Sequence, residues 1–345
     1  MAQKITPYEW ASNVPENVLR FDTNTLPYPA PCVKGFCNQL MNTCPINEYG
    51  DPSYANLKTL IAAYEKVNTN QVTITNSGDE ALDIVTKAFL NPDDVFITQP
   101  PTYDMFQIQG EINRGKCIEI PLTAQFEIDT TVLLKTIRKI EPKITFVCNL
   151  NNPSGTVTTN ETIELILKKS NGIVLVDEAY REFYGKTSVS LLKKYNNLVI
   201  LRSFSKFGAM AGARIGYLMA RPKLSQVFDA IRLPMGVSWF SYIFAELLLE
   251  KNTAWITSQS QMIIRERSQL TKELTVLGLN VVPSQANFLL VKAGNRAKEM
   301  YEKLKDKNIL VRDRSNKPYL EGCLRITVRN QEQNNQLIKS LKEII

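Results

Sequence analysis

Histidine is absent from the whole 345-residue chain, and that one absence removes a great deal of chemistry. Without an imidazole there is no Ser-His-Asp triad, no Cys-His pair and no histidine metal site, so any general base must be Lys, Asp, Glu, Tyr or Cys. The six cysteines, Cys32, Cys37, Cys44, Cys117, Cys148 and Cys323, show no CxxC spacing. In a chain of this size they read as reduced thiols, and no metal is expected. No apolar run approaches the roughly 18 residues of a membrane span. The opening MAQKITPYEW also lacks the basic and apolar regions of a signal peptide. A cytoplasmic protein that does not engage membranes is the expectation. Basic blocks, RNA-binding aromatic strands and finger spacings are missing too. The excess of 41 Lys+Arg over 34 Asp+Glu, +7 in all, is spread along the chain. That favours small anionic ligands mildly and leaves nucleic acid out as an expected partner.

What is present is an ordinary globular composition, 44% hydrophobic and 22% charged, with no low-complexity tract. From residue 72 short β-rich runs alternate with longer amphipathic stretches. The strand candidates are 72–75, 95–98, 117–120, 145–149, 173–177, 198–202 and 215–219, with helices predicted over 78–90, 103–113, 130–139 and 161–170. Such alternation predicts an α/β fold: a large domain with a mostly parallel seven-stranded sheet flanked by helices. After Pro234 long helices follow. Ile256, Ile263, Leu270 and Leu277 recur at seven-residue steps along a predicted connecting helix over 255–277. Strands at 288–291, 309–312 and 324–328, with helices at 295–305 and 330–345, predict a smaller α+β domain. The boundaries expected are 45–250 for the large domain, and 1–44 with 251–345 for the small one.

Ligands of open parallel sheets sit beyond the carboxyl ends of the strands, and four of those ends carry suggestive residues. "TITNSGDEAL" (73–82) runs from a strand into Ser77, Gly78 and Asp79, where exposed backbone N–H groups and a helix dipole make an anion site. A plain helix, capped by Ser77 with Glu80 in the capping-box position, explains the same residues. "FVCNLNNPSG" (146–155) ends in a turn that accounts for Pro153 and Gly155 but has no need of Asn152. "IVLVDEAYREF" (173–183) stops a buried run at Asp177, with Tyr180 three residues on. "RSFSKFGAMAGARIGY" (202–217) places Lys206 after Ser203 and Ser205 and before Arg214. Held in a partly desolvated pocket near other cations, that lysine would be a usable amine nucleophile and base near neutral pH. Together these supply a phosphate cradle, an oxygen-bonding amide, a carboxylate suited to a pyridinium nitrogen and an amine able to form a Schiff base. Those are the needs of pyridoxal 5′-phosphate.

With these motifs in order, nearly the whole chain from about Phe21 onward resembles the fold-type I pyridoxal-phosphate aminotransferases, and within them the histidinol-phosphate aminotransferase group. The resemblance implies that Lys206 is the Schiff-base lysine and that Asp177 pairs with the pyridine nitrogen. It assigns Tyr180 and Asn152 to the phenolic oxygen, Tyr103 in "PPTYDMF" to stacking on the ring, and Ser77, Gly78, Asp79, Ser203, Ser205 and Arg214 to the phosphate. "NEYGDPSYANL" (47–57) is similar to the motif whose tyrosine reaches the neighbouring subunit's phosphate, so Tyr49 implies a homodimer. Arg325 in "CLRITV" matches the arginine that holds the substrate's anionic group, joined in this group by Arg312 and Tyr28; Asn152 also faces the substrate. Met235 and Gly236 stand where aromatic and asparagine residues are usual. The reaction implied joins an amino donor to an oxo-acid acceptor: imidazole-acetol phosphate and glutamate give histidinol phosphate and 2-oxoglutarate in histidine biosynthesis. An aminotransferase for aromatic or other amino acids, or a threonine-phosphate decarboxylase, would use the same cofactor residues.

Overall fold

The computed structural model describes residues 17–33, 36 and 47–345; Cys37, Cys44 and the MAQKITPYEW stretch lie outside them. A short strand, β1 (Leu19–Phe21), leads the described chain. Seven strands then form one sheet: β2 (Val72–Thr75), β3 (Val95–Thr98), β4 (Lys116–Glu119), β5 (Ile144–Cys148), β6 (Ile173–Asp177), β7 (Leu198–Ser203) and β8 (Gly216–Ala220). Their order is β2-β8-β7-β6-β5-β3-β4. Strands β4, β3, β5, β6 and β7 pair in parallel, and β8 runs antiparallel to both β7 and β2. The expected seven-stranded, mostly parallel sheet is therefore present, with β8 as its reversed member. Strands β4, β5 and β8 are displaced by one residue from the expected positions.

Both faces of the sheet are covered, and the sequence shows why. Every residue of β5 (ITFVC) and β6 (IVLVD) is buried, as expected of near-continuous apolar strands in a doubly covered sheet. Alternate residues feed opposite cores: Val174, Val176 and Ile200 join Leu57 and Ile61 on one side, while Leu175, Val199 and Leu201 join Phe96, Phe146 and Phe228 on the other. Each such side chain stabilises the fold by about 1.5–3 kcal/mol. The flanking helices are α1 (Ala55–Glu65), α2 (Ser77–Phe89), α3 (Met105–Ile112), α4 (Thr130–Ile140), α5 (Asn160–Lys169), the single turn α6 (Phe204–Phe207), α7 (Pro222–Ile231) and α8 (Trp239–Lys251). Local side-chain caps start four of them: Asp129 accepts from the Val132 amide at 3.0 Å, Thr159 from the Thr162 amide at 3.3 Å, Ser203 from the Ser205 amide at 3.2 Å and Ser238 from the Ser241 amide at 3.3 Å.

The long helix α9 (Thr253–Val276) leads to a second sheet. Its apolar seam is Ile256, Ile263, Leu270 and Leu274; Leu277 falls just past the helix end, where Gly278 turns the chain at φ +78°. The second sheet has the order β1-β11-β12-β10-β9, with β9 (Asn280–Val281), β10 (Phe288–Lys292), β11 (Ile309–Asp313) and β12 (Cys323–Thr327). Helices α10 (Ala297–Asp306) and α11 (Gln331–Ile344) cover it. Strand β1 pairs in parallel with β11, Leu19 opposite Ile309, so the N-terminal arm becomes an edge of a sheet built from the far end of the chain. No described helix is long and apolar enough to cross a membrane.

One polar feature sits inside this apolar frame. Arg202 on β7 is 1% exposed, and its guanidinium reaches Glu65 of α1 at 2.7 Å, Glu182 at 2.9 Å and the Glu178 carbonyl at 2.9 Å. Tyr217 donates to the same Glu65 at 2.5 Å. A buried network of this kind adds little net stability, but losing one partner strands the others. Its effect here is positional, because it fastens the carboxyl ends of β6 and β7 to each other and to α1.

Candidate active site

Strands β2, β5, β6 and β7 point the same way, so their carboxyl ends open on one edge of the sheet. A cavity of about 660 Å³ lies there. Among the residues expected from sequence, Ser77, Gly78, Asp79, Tyr103, Asn152 and Asp177 line it. So do Tyr180, Ser203, Ser205, Lys206, Arg214, Arg312 and Arg325. Two do not. Tyr28 is 49% exposed and takes an N–H from Asn330 at 2.5 Å, and Tyr49, 85% exposed, stands away from its own chain's cavity.

At one end the groups suit an anion. Ser77 opens α2 with φ +76°, and the cap position before it is Asn76, one residue earlier than sequence suggested. Glu80 does reach back, to the Asn76 amide. With the helix begun at Ser77, its hydroxyl is released to the cavity, where it accepts from the Asp79 amide at 3.2 Å and from Arg214 at 2.7 Å. Arg214 also pairs with Asp79 at 2.6 Å, and Tyr103 donates to the other Asp79 oxygen at 2.9 Å. Gly216 sits so close behind that a Cβ would meet the Ser77 carbonyl carbon at 2.8 Å and the Gly78 nitrogen at 3.0 Å. Only glycine allows β8 to back this cradle.

The centre holds the titratable groups. Burial pushes the Asp177 carboxyl up to about 7. The Ala179 amide, which donates to it at 2.9 Å, partly offsets this, while the charges of Asp79 and Glu178 add to it. Burial also brings the Lys206 amine down to about 8, helped by the positive charges of Arg325 and Arg214 and opposed by Asp79 and Asp177. Desolvation drives the Tyr180 phenol well above its ordinary value, so it stays a hydrogen-bond donor. The neighbouring Cys148 thiol is likewise pushed up by burial and is no candidate base.

The opposite wall comes from the small sheet and the N-terminal arm. Register places Arg312 directly across from Arg325 on β11 and β12. Two like charges facing each other across a ladder are unfavourable, and a divalent anion between them would reverse the sign. The Arg325 guanidinium donates to Asn152 Oδ1 at 2.7 Å and to the Asp22 carbonyl at 2.6 Å. Arg20, Asp22, Thr23, Asn24 and Arg329 also line the cavity, and sequence reasoning did not single them out. Arg20 holds both Asp22 carboxylate oxygens, at 2.7 and 2.9 Å. The arm follows no strand end of the large sheet and shows no periodicity, so the reasoning that found the other residues had nothing to act on.

Residues 13–341 match the model of the aminotransferase class I and II family. The chain belongs to that family. Among the relatives of this aminotransferase, the histidinol-phosphate aminotransferase of Thermoanaerobacter pseudethanolicus is 36% identical over 94% of this chain and 93% of its own. That of Flavobacterium psychrophilum is 37% identical over 87% and 86%. Among solved structures, the histidinol-phosphate aminotransferase of Sinorhizobium meliloti in complex with pyridoxal-5′-phosphate superposes with a TM-score of 0.87. It is 24% identical over 95% of this chain and 90% of that one. The Clostridium acetobutylicum enzyme gives 0.85 at 23% identity, over 95% and 99%. At these identities the structural likeness speaks for the fold, the α/β architecture already traced through the two sheets.

The donor set of this aminotransferase fits pyridoxal phosphate. The Ser77–Gly216 cradle and Arg214 suit its phosphate. A buried carboxyl near 7 gains from a protonated ring nitrogen, and an amine near 8 is available for covalent capture.

Proposed function

We propose that this chain is a pyridoxal-phosphate-dependent aminotransferase for histidinol phosphate, exchanging its amino group with 2-oxoglutarate and working as a homodimer in the cytoplasm. The observation that carries the substrate is the facing pair Arg312 and Arg325. Planar guanidiniums on adjacent strands suit a phosphate dianion, and a bidentate contact fixes its orientation as well as its affinity. The names of the relatives point the same way.

When bound, pyridoxal phosphate supplies an aldehyde carbon for capturing amines and a ring into which carbanion charge spreads. The chain's part is to hold and to move protons. Ser77, Gly78, Asp79, Ser203, Ser205 and Arg214 would anchor the phosphate, and Tyr103 would pack against the ring. Asp177 would hold the ring nitrogen as a carboxylate, because a buried carboxylate beside a cation is better satisfied than a buried acid. Tyr180 and Asn152 would bond the phenolic oxygen. Lys206 would take and return the substrate's α-proton; in a chain without histidine it is the amine placed to do so, and near pH 8 it both takes and returns a proton readily. Arg312, Arg325 and Asn152 hold the substrate, with Tyr28 at the rim. Tyr49 serves the partner subunit's site.

A donor screen by absorbance, including histidinol phosphate, tests the reading. Conversion of the cofactor to its amine form by histidinol phosphate, restored by 2-oxoglutarate, is expected. Conversion by an aromatic amino acid alone would overturn the substrate assignment, and release of carbon dioxide without an acceptor would replace transamination by decarboxylation.

A further inference from the structure

The arm segment that follows β1 is gripped by side chains from several elements. The Asp22 carbonyl accepts from Arg325 at 2.6 Å, that of Thr23 from Lys206 Nζ at 3.1 Å, that of Asn24 from Asn287 Nδ2 at 2.9 Å and that of Thr25 from Arg329 at 3.2 Å. At its centre Asn24 is 1% exposed and adopts φ +56°, a left-handed turn that asparagine tolerates better than most residues. Its amide N–H donates to Thr327 Oγ1 at 3.0 Å, and Thr327 Oγ1 bonds Asn24 Oδ1 at 3.3 Å. That contact turns Asn24 Nδ2 toward Tyr180, where it donates to the phenol oxygen at 3.1 Å.

We infer that Asn24 is a positioning residue for the reaction: its side-chain amide fixes Tyr180 as a donor to the cofactor's phenolic oxygen, while the adjoining Thr23 carbonyl holds the Lys206 amine beside it. The inference rests on the pyridoxal-phosphate reading. A hydroxyl that already accepts one hydrogen bond keeps its own proton to give, and gives it more strongly because the two bonds polarise each other. Asn24 is buried and its backbone and side-chain polar groups are all bonded, so the direction of that proton is set before any ligand arrives. Since the same turn continues from β1, which pairs with β11 of the small sheet, the strand bearing Arg312 and the group bearing Lys206 share one support.

The test is a pH titration of the visible absorbance of the loaded protein, with equilibrium binding of pyridoxal phosphate to the cofactor-free chain as an independent readout. Asn24→Gly deletes the amide while keeping a residue at ease at positive φ. A weaker donor at Tyr180 disfavours the form with an anionic phenolic oxygen. The titration midpoint is therefore expected to rise by roughly half a unit to one unit, and cofactor binding to weaken up to about tenfold. The same substitution in a Tyr180→Phe background is expected to shift nothing further. Asn24→Asp, similar in size, puts an acceptor where the donor stood and should move the midpoint further in the same direction. It also serves if the glycine variant fails to fold. A wild-type midpoint in a folded Asn24→Gly or Asn24→Asp variant overturns the role of Asn24, as does an equal shift with and without the Tyr180 hydroxyl. A wild-type chain that acquires no visible absorbance with pyridoxal phosphate overturns the cofactor reading itself.

Discussion

The floor and the wall of the cavity are built by different means. On the floor, each group stands within a few residues of the carboxyl end of a strand: Ser77 after β2, Asn152 after β5, Asp177 at the end of β6 and Lys206 after β7. On the wall, Arg312 and Arg325 meet through strand register, and residues 22–25 are held by side chains some 180 to 300 positions away in sequence. The floor groups thus stand where parallel strands and the Arg202 network fix separations. The wall is a surface assembled from both ends of the chain, and it touches the floor at Lys206 and Tyr180, through the Thr23 carbonyl and the Asn24 amide.

Breaking the floor should cost most. Lys206→Ala is expected to lose on the order of 10⁴-fold in kcat or more, and mass analysis after borohydride should show no cofactor attached. A variant that still traps it on the same peptide would move the covalent function elsewhere. Breaking the wall should cost less: for Arg325→Met, about 10²-fold in kcat/KM, the worth of a charge-assisted hydrogen bond. Arg325 also links the two regions, because its charge helps to lower the Lys206 amine. In the cofactor-free protein the rate of cofactor capture should rise with pH through about 8, as the amine loses its proton. In Arg325→Met that midpoint should lie higher. An unchanged midpoint would uncouple wall from floor.

Asp177→Asn separates stability from function. Its folded-state pKa is raised from 3.8 to about 7, so proton uptake favours the fold at low pH and the benefit is lost as pH rises through 7. Above that, the cofactor-free protein carries a buried carboxylate at a cost. The asparagine variant should be more stable at pH 8 by on the order of 3 kcal/mol, with no gain at pH 4. Chemical denaturation at the two pH values measures it, and equal gains at both would reject the charge argument. Tyr28→Phe should have the smallest effect, within about threefold in kcat/KM, since Tyr28 does not line the cavity and its hydroxyl oxygen accepts from Asn330. A loss above tenfold would bring Tyr28 into the wall.

Much of this was legible beforehand because two rules act on local sequence. Buried parallel strands read as near-continuous apolar runs rich in β-branched residues, which located β5, β6 and β7 to within a residue. Ligands gather at the carboxyl ends of such strands, which turned those positions into site candidates. The rules fail where no strand precedes the residue. Asn24 carries one faint local sign, as a residue type that accepts positive φ, and nothing nearby distinguishes it from Asn47 or Asn68. Arg202 reads as an odd polar residue in an apolar strand, and its three buried carboxylate partners come from two distant segments, α1 and the stretch after β6.

By itself, then, the sequence determined the large α/β sheet and the cofactor floor, along with a proton chemistry that excludes imidazole. Those follow from composition, from hydrophobic period and from residues adjacent to strand ends. The tertiary structure decided the reversed β8 that allows Gly216 to back the cradle, the opposition of Arg312 to Arg325, and the arm lying across Lys206 and Tyr180. Each of these is a contact between distant segments, fixed by register and packing, and no local pattern encodes which partners will meet.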